Sequence, residues 1–351
     1  MSDRAQAGLR GPVKSTTEES AYPNTTDNAG KASELRFEHT TLYDPDGRLL
    51  STRSRNSDGS HWVTRYDYSN SGQLLKSASG TEGQGLTETT YSYDSQGRLA
   101  KITSSNKSET PVLFRYDGHG GKTKIQTSRA SDYRPNMASG GSPFEAADRP
   151  PNLPGGGITT TIYDEHDRPI EVQVRDSNGE LVNRALRTYN AQGYISEEKQ
   201  IYDDLVTMFA PETRQKLLDE SGLSAEQLQQ ELQAQLTKLM NGRAESYTVS
   251  NRYDTEGRVI HTDRRIFNEE HEIVTTYNEH GDTESEITRS TRPESENEST
   301  AQASPPLYLE ARYSYQYDQH GNWTEKTVSY RSSPDGEFQS STVSKRSLTY
   351  Y

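Results

Sequence analysis

The chain has 351 residues and a formal net charge of −13, and only 29% of its residues are hydrophobic. This acidic balance argues against nucleic acid and anionic membranes as partners, because both are bound through clustered Lys and Arg. The absence of cysteine excludes disulfides and cysteine-based metal sites, and no apolar stretch reaches the roughly 20 residues of a membrane span.

A tyrosine followed by a short polar turn occurs nine times along the chain. The copies begin at Tyr43, Tyr68, Tyr93, Tyr116, Tyr163, Tyr189, Tyr253, Tyr277 and Tyr317. In most copies Asp or Asn follows the tyrosine, and Gly comes three positions later, which favours a type I turn that ends in a glycine with positive φ. The Tyr163 copy has Asp167 in place of this glycine. The repeat predicts a series of β-hairpins.

Period-two alternation before several of these tyrosines predicts half-buried strands. An apolar side chain follows most tyrosines at the sixth position, where it would lie across the hairpin. Uninterrupted copies are about 25 residues apart, which fits two strands of about eight residues with two short turns. We therefore predict an all-β fold for residues 1–351, a single antiparallel meander of roughly 18–20 strands. An open sheet rarely exceeds about ten strands, so we expect this one to be curled or coiled on itself.

Three insertions interrupt the repeat. Residues 130–157 are rich in Pro and Gly, which predicts a loop, and residues 289–306 are polar and predict a disordered loop. Residues 203–242 instead predict a helical hairpin. Asp203 and Asp204 can cap a helix to Glu220, and Ser224 with Gln227 matches a capping box that opens a second helix.

The second predicted helix carries one apolar stripe. Its members are Leu228, Leu232, Leu236 and Leu239. Amphipathic helices usually bury such a stripe, so one interpretation is that it packs on the β array. The alternative is that it docks a protein partner.

The motif Tyr-Asp-x-x-Gly-Arg-Leu at 43–49 and 93–99, with Val in the last place at 253–259, resembles the YD repeat of the RHS/YD family. The resemblance covers about residues 33–351 outside the insertions. It implies a bacterial, secreted protein that is periplasmic or extracellular, although residues 1–10 contain no secretory signal. It also implies repeats that are structural or that bind carbohydrate or protein. The chain has too few repeats to enclose a toxin domain as the larger family members do.

No motif for catalysis or metal binding is recognisable. His119, His166, His280 and His320 share one turn position, which indicates turn tolerance rather than a metal site. The sequence contains no GxSxG, HExxH or phosphate-binding loop. We therefore expect no catalytic residue, no metal and no cofactor, and we expect that the protein is not an enzyme.

Aromatic residues on the strands are the candidate binding residues. These are Trp62, Tyr66, Tyr91, Tyr313, Tyr315 and Trp323. Their amphipathic rings can stack on sugars or on a protein partner. The leading hypothesis is a binding scaffold. The alternatives are an accessory component of a larger RHS or secretion assembly that docks through 203–242, and a small polysaccharide-active enzyme.

Overall fold

The computed structural model describes residues 2–21, 37–118, 121–134, 142–240, 242–291 and 307–351. Within them the chain forms 20 β-strands and four α-helices. The strands of the first half are β1 (Val13–Ala21), β2 (Phe37–Tyr43), β3 (Leu49–Arg55), β4 (His61–Tyr68), β5 (Leu74–Thr81), β6 (Thr87–Tyr93), β7 (Leu99–Ser104), β8 (Val112–Tyr116), β9 (Lys122–Arg129) and β10 (Gly156–Tyr163). Those of the second half are β11 (Pro169–Asp176), β12 (Leu181–Tyr189), β13 (Ile195–Tyr202), β14 (Tyr247–Tyr253), β15 (Val259–Ile266), β16 (Glu269–Tyr277), β17 (Thr283–Thr291), β18 (Leu307–Tyr317), β19 (Trp323–Arg331) and β20 (Gln339–Tyr350).

Each strand pairs antiparallel with its neighbours in sequence. β20 also pairs with β1, with Leu348 opposite Thr16 and Arg346 opposite Glu18. The 20 strands therefore form a closed barrel, a form that leaves no unpaired edge strand. The all-β antiparallel prediction is confirmed, and the expected curling ends in full closure.

The repeat motif forms the hairpin turns as predicted. The register shifts at eight of the nine repeat tyrosines, the exception being Tyr116. The tyrosine then lies opposite the residue six positions later, which is apolar in most repeats, as Leu99 is opposite Tyr93. Gly97 in the same turn has φ +76°, a left-handed value that favours glycine. Asp167, the residue that replaces glycine, also adopts a left-handed φ of 62°, which Asp tolerates better than most residues.

Alternation along the strands separates two faces of the sheet. The face that carries the repeat tyrosines, called the Tyr face below, is the less exposed one. In β6, Tyr91 and Tyr93 are half-buried, whereas Glu88 and Ser92 on the opposite face are exposed. The buried hydrophobic cluster found in the described residues is small and consists of Phe144, Ala147, Val172 and Ala185. Stability must therefore come largely from contacts between neighbouring strands.

The helices belong mainly to the insertions. Besides α1 (Asp3–Gln6) there are α2 (Pro143–Ala146), α3 (Pro211–Ser221) and α4 (Ala225–Leu239). The capping box of Ser224 and Gln227 is present at α4. Asp204 accepts hydrogen bonds from the backbone of Val206 and Thr207 and so caps only a short 3-10 turn. The predicted start of the first helix at Asp203 is wrong. The helix α3 begins at Pro211, because proline suits the first turn of a helix.

The other two predicted insertions are described only in part. The 130–157 segment contains α2, and β10 already begins at Gly156; residues 135–141 lie outside the described residues. In the 289–306 segment, β17 extends to Thr291. The predicted disordered loop at 292–306 lies outside the described residues.

Candidate functional site

Six of the nine repeat tyrosines connect a repeat to the preceding one. Their hydroxyl groups donate to a backbone carbonyl at the start of an earlier strand: Tyr68 to Leu49, Tyr93 to Leu74, Tyr116 to Leu99, Tyr189 to Pro169, Tyr253 to Ile195 and Tyr277 to Val259, at 2.6–2.9 Å. Burial raises the pKa of Tyr68 to about 12, so the hydroxyl stays protonated and can donate at neutral pH. These hydrogen bonds, called latches below, give the tyrosines a structural role.

In four repeats the Asp and Arg of the motif complete the turn. Asp94 accepts the backbone N–H groups of Gln96 and Arg98 at 2.9 Å, and its second oxygen accepts from Nε of Arg98 at 2.8 Å. The hydrogen bonds from the Arg98 backbone and side chain hold the pKa of Asp94 below its usual value. The Arg98 guanidinium also lies 4.1 Å from the ring centroid of Tyr116 in the next repeat. Arg48, Arg168 and Arg258 lie over Tyr68, Tyr189 and Tyr277 in the same way.

Three repeats without this arginine place another ring on the following tyrosine. Tyr194 stacks on Tyr253 at 5.0 Å, and His280 contacts Tyr317 at 3.9 Å between ring centroids. His320 contacts Tyr350 at 4.2 Å. Two of the four turn histidines, His280 and His320, thus pack on tyrosines. The side chain of His166 is 65% exposed. The fourth histidine, at position 119, lies outside the described residues. In the described part of the chain, no three His, Asp or Glu side chains form a metal-binding group.

Three of the predicted aromatic residues form an open strip on the Tyr face. Trp62 and Tyr66 lie on β4, and Tyr91 lies two strands away on β6. Trp62 is 47% exposed. Ser77 of β5 lies opposite Tyr66 and is 3.5 Å from the Tyr91 hydroxyl, and burial and then the neighbouring Tyr91 raise the pKa of Tyr66. We call Trp62, Tyr66 and Tyr91 the aromatic strip.

The other three predicted aromatic residues are packed into the sheet. Tyr315 donates to the carbonyl of Thr283 at 2.9 Å, and Tyr313 lies on the same face of β18. Trp323 is only 8% exposed, because the Arg346 guanidinium covers its ring at 3.5 Å from the centroid. Four strands separate β19 from β4, so the structure does not bring the six residues into one site.

The leucine stripe of α4 divides between buried and exposed positions. Leu228 is 5% exposed, Leu232 and Leu236 are half-buried, and Leu239 is 50% exposed. Next to Leu228, Gln229 accepts the backbone N–H groups of residues 205 and 206 at 2.9 and 3.2 Å. The first half of the stripe therefore anchors the helical insertion, and the exposed end remains available for a partner.

A second candidate site, which the sequence did not reveal, lies beneath residues 142–148, called the strap below. The strap places Phe144 in the buried cluster with Val172 of β11 and Ala185 of β12. Ser142 donates to Glu198 at 2.6 Å, and Nε of Arg187 donates to the other carboxylate oxygen at 2.7 Å. The side chains of Arg187 and Glu198 are 12% and 7% exposed, and the guanidinium lies 4.0 Å from the Phe144 ring centroid. The strap is thus held by both apolar and ionic contacts.

Two lysines of β9 each pair with an acidic residue from a loop. Lys124 is 11% exposed and meets Asp148 at 2.7 Å, whereas the Asp148 side chain is 77% exposed. Lys122 is 16% exposed and pairs with Asp167, which is 70% exposed. Lys122 also lies 3.9 Å from the ring centroid of Tyr163. The cations are therefore fixed in the sheet, and their anionic partners lie at the solvent side.

A cavity of about 170 Å³ lies beside the strap, and its lining residues are Lys124, Phe144, Glu145, Asp148, Thr161, Tyr163, Pro169 and Arg187. Thr161 is 3% exposed, and its hydroxyl has no hydrogen-bond partner among the described residues. Burial, together with Asp148 and Asp167, raises the pKa of Tyr163 to about 12. One buried hydroxyl of the lining, that of Thr161, is therefore left unsatisfied by the described side chains.

The strap was not predicted from the sequence, because the Pro and Gly content of residues 130–157 indicates a single loop. The sequence does contain a signal for the helix α2. Ser142 is a helix cap, and Pro143 after it lies in the first helical turn. The importance of Lys124 and Arg187 could not be read from sequence, because their neighbours come from distant parts of the chain.

Residues 26–131 match the family model described as Teneurin YD-shell. This match agrees with the motif and with the latches that it forms. The chain contains YD repeats, and residues 26–131 are the part that is similar to the family model. No curated protein is similar to it in sequence.

Solved structures give weaker likenesses to this YD-repeat chain. A porin-like protein from Bacteroides uniformis aligns with 97% of this chain and 98% of its own, at 10% identity and a TM-score of 0.36. The Tc holotoxin pore of Photorhabdus luminescens aligns with 96% of this chain but only 16% of its own, at 13% identity and a TM-score of 0.27. Among the described helices, none is long and apolar enough to cross a membrane.

Proposed function

We propose that this YD-repeat protein is a non-enzymatic binding scaffold, exported from a bacterial cell to the periplasm or the cell surface. The observation that carries the proposal is the aromatic strip, in which Trp62 stays 47% exposed on an otherwise less exposed face. The motif residues of most repeats are engaged in turns and latches, which fits a framework role. Export is supported by the resemblance to the RHS/YD family.

The aromatic strip suits a saccharide. Exposed Trp and Tyr rings offer flat apolar faces for sugar rings and polar edges for their hydroxyl groups. Hydroxyl side chains lie beside the rings, since Ser77 is opposite Tyr66 and Thr64 is on the same face of β4. A protein segment that presents apolar side chains is the other ligand that this surface fits.

A glycan array with the purified chain tests the proposal. We expect binding by the unaltered chain, loss of binding in Trp62→Ala, and unchanged binding in the control Leu113→Ala. Leu113 is 37% exposed and belongs to the opposite face of β8. Binding that survives in Trp62→Ala would contradict a role for the aromatic strip. If no glycan binds, the saccharide form of the proposal is wrong, and a protein ligand is tested next.

The helical insertion supports a second candidate function, docking to a larger RHS or secretion assembly. Leu239 and Met208 are 50% and 37% exposed, whereas Val206, Leu228 and Met240 are buried and hold the insertion in place. A point variant is therefore a cleaner test than deletion of 203–242. Leu239→Asp should abolish capture of an assembly component and leave the thermal unfolding midpoint unchanged, and unaltered capture would contradict docking through this stripe.

A further inference from the structure

Tyr163 departs from the pattern of the latches. Its hydroxyl donates to no carbonyl of the preceding repeat in the described part of the chain, whereas Tyr116 before it and Tyr189 after it both do. Tyr163 instead lines the cavity under the strap. Its turn also differs from the others, because Asp167 replaces the glycine and pairs with Lys122. This repeat therefore lacks the latch, and its tyrosine lines a cavity.

The cavity is lined by four residues that carry donor groups and by two carboxylates, Glu145 and Asp148. Lys124 and Arg187 are nearly buried cations, and the hydroxyl groups of Thr161 and Tyr163 add two neutral donors. Arg187 uses Nε and one terminal nitrogen for Glu198, out of five N–H donors in a guanidinium. A nearly buried cation is costly unless an anion is close to it. In the free chain Glu198 is the anion beside Arg187, and the exposed Asp148 is the anion beside Lys124, so a ligand carboxylate can take the place of Asp148.

The carboxylate of Asp148 in the strap indicates which kind of anion the cavity accepts. Asp148 reaches Lys124 from the solvent side, with its own side chain 77% exposed. An exposed carboxylate gains little from such a pair, so a ligand with better contacts can replace it. Thr161 Oγ1, buried and without a partner, marks a position that Asp148 does not satisfy.

We propose that the cavity beneath the strap binds a small organic anion through a carboxylate group, held by Lys124, Arg187, Tyr163 and Thr161. The cavity volume of about 170 Å³ corresponds to about five or six water molecules at roughly 30 Å³ each, which suits a molecule of a few carbon atoms. The proposal does not depend on the scaffold function, since the aromatic strip lies on β4 and β6 and the cavity is built from β9 to β12.

Calorimetric titration of the full chain with succinate tests the proposal, at constant ionic strength and with succinamide as a neutral ligand of the same shape. We expect binding of succinate and none of succinamide. Tyr163→Phe and Lys124→Met should each weaken binding by about tenfold or more, because each removes a hydrogen bond to a charged group. The control Lys101→Met, on the opposite face of β7 and exposed, should bind like the unaltered chain.

Two further variants separate ligand binding from a purely structural role. Thr161→Val replaces the unpartnered hydroxyl by a methyl group of similar size, so it should weaken succinate binding while leaving the free chain at least as stable. Asp148→Asn removes the competing carboxylate and should tighten succinate binding. Equal binding of succinate and succinamide would overturn the proposal, as would no succinate binding or weaker binding in Asp148→Asn. Binding of inorganic phosphate without succinate would overturn the choice of carboxylate.

Discussion

The hydroxyl of Tyr93 donates a hydrogen bond of 2.7 Å to the carbonyl of Leu74, which lies 19 residues earlier in the sequence. This distance along the chain is close to one repeat, so the bond connects the end of one hairpin to the strand that opens it. Tyr68 and Leu49 have the same separation and a 2.9 Å bond. The repeat tyrosine is therefore a connector between repeats as well as a strand residue.

Removing one latch should measurably destabilise the fold. Tyr93→Phe deletes only the hydroxyl and leaves the Leu74 carbonyl without that donor, so we expect a loss of about 0.5–1.5 kcal/mol in the free energy of unfolding. Urea denaturation provides the measurement. Tyr91→Phe is the matched control on the same strand, because the Tyr91 hydroxyl has only a 3.5 Å contact with Ser77. Equal effects of the two substitutions would contradict the latch.

The turn glycines should be more sensitive than glycines elsewhere. Gly97 has φ +76°, and an alanine there would adopt a left-handed conformation that costs about 1–2 kcal/mol. A Cβ atom at Gly97 would meet only the side chain of Gln73 at 3.5 Å, so the cost is conformational rather than steric. Gly85→Ala is the control, since nothing lies within 4 Å of its Cβ position. Thermal unfolding of both variants should show a lower midpoint only for Gly97→Ala.

The local features of this fold follow from the sequence. The turn at Tyr93, its apolar partner Leu99 and the capping box at Ser224 each depend on residues a few positions apart, and each was predicted. Closure of the sheet was not predictable, because the pairing of β1 with β20 depends on the twist and coiling accumulated over all the strands between them.

The candidate site was predicted only in part. The aromatic strip could be recognised because period-two alternation places Trp62 and Tyr66 on one face. The burial of Trp323 could not be predicted, because Arg346, which covers the Trp323 ring, comes from another strand. The cavity beneath the strap depends on the register of β9 to β13 and on the position of Phe144, neither of which leaves a periodic pattern in the sequence.

The turn aspartates should make stability depend on acid pH. Hydrogen bonds from the backbone of Arg98 and then from its side chain lower the pKa of Asp94 in the folded state. A carboxyl group whose folded pKa lies below its unfolded value stabilises the fold above the unfolded pKa near 3.8, and this contribution is lost as the pH falls through the folded pKa. Asp94→Asn should therefore lower the urea midpoint at pH 7 and have less effect at pH 3. A difference that is constant with pH would contradict this assignment.

The ion pair beneath the strap should contribute far more than an ion pair at the surface. Arg187→Met leaves Glu198, whose side chain is 7% exposed, with the Ser142 hydroxyl as its remaining side-chain hydrogen-bond partner among the described residues. Breaking a buried pair on one side costs about 3–5 kcal/mol, and we expect a loss of that size in urea denaturation. Lys216→Met is the control, because Lys216 and Glu220 are 71% and 65% exposed and such pairs contribute about 0–1 kcal/mol. The double variant Arg187→Met with Glu198→Gln removes both charges and should recover part of the loss. If the double variant is no more stable than Arg187→Met, the loss reflects packing against Phe144 rather than the unpaired carboxylate.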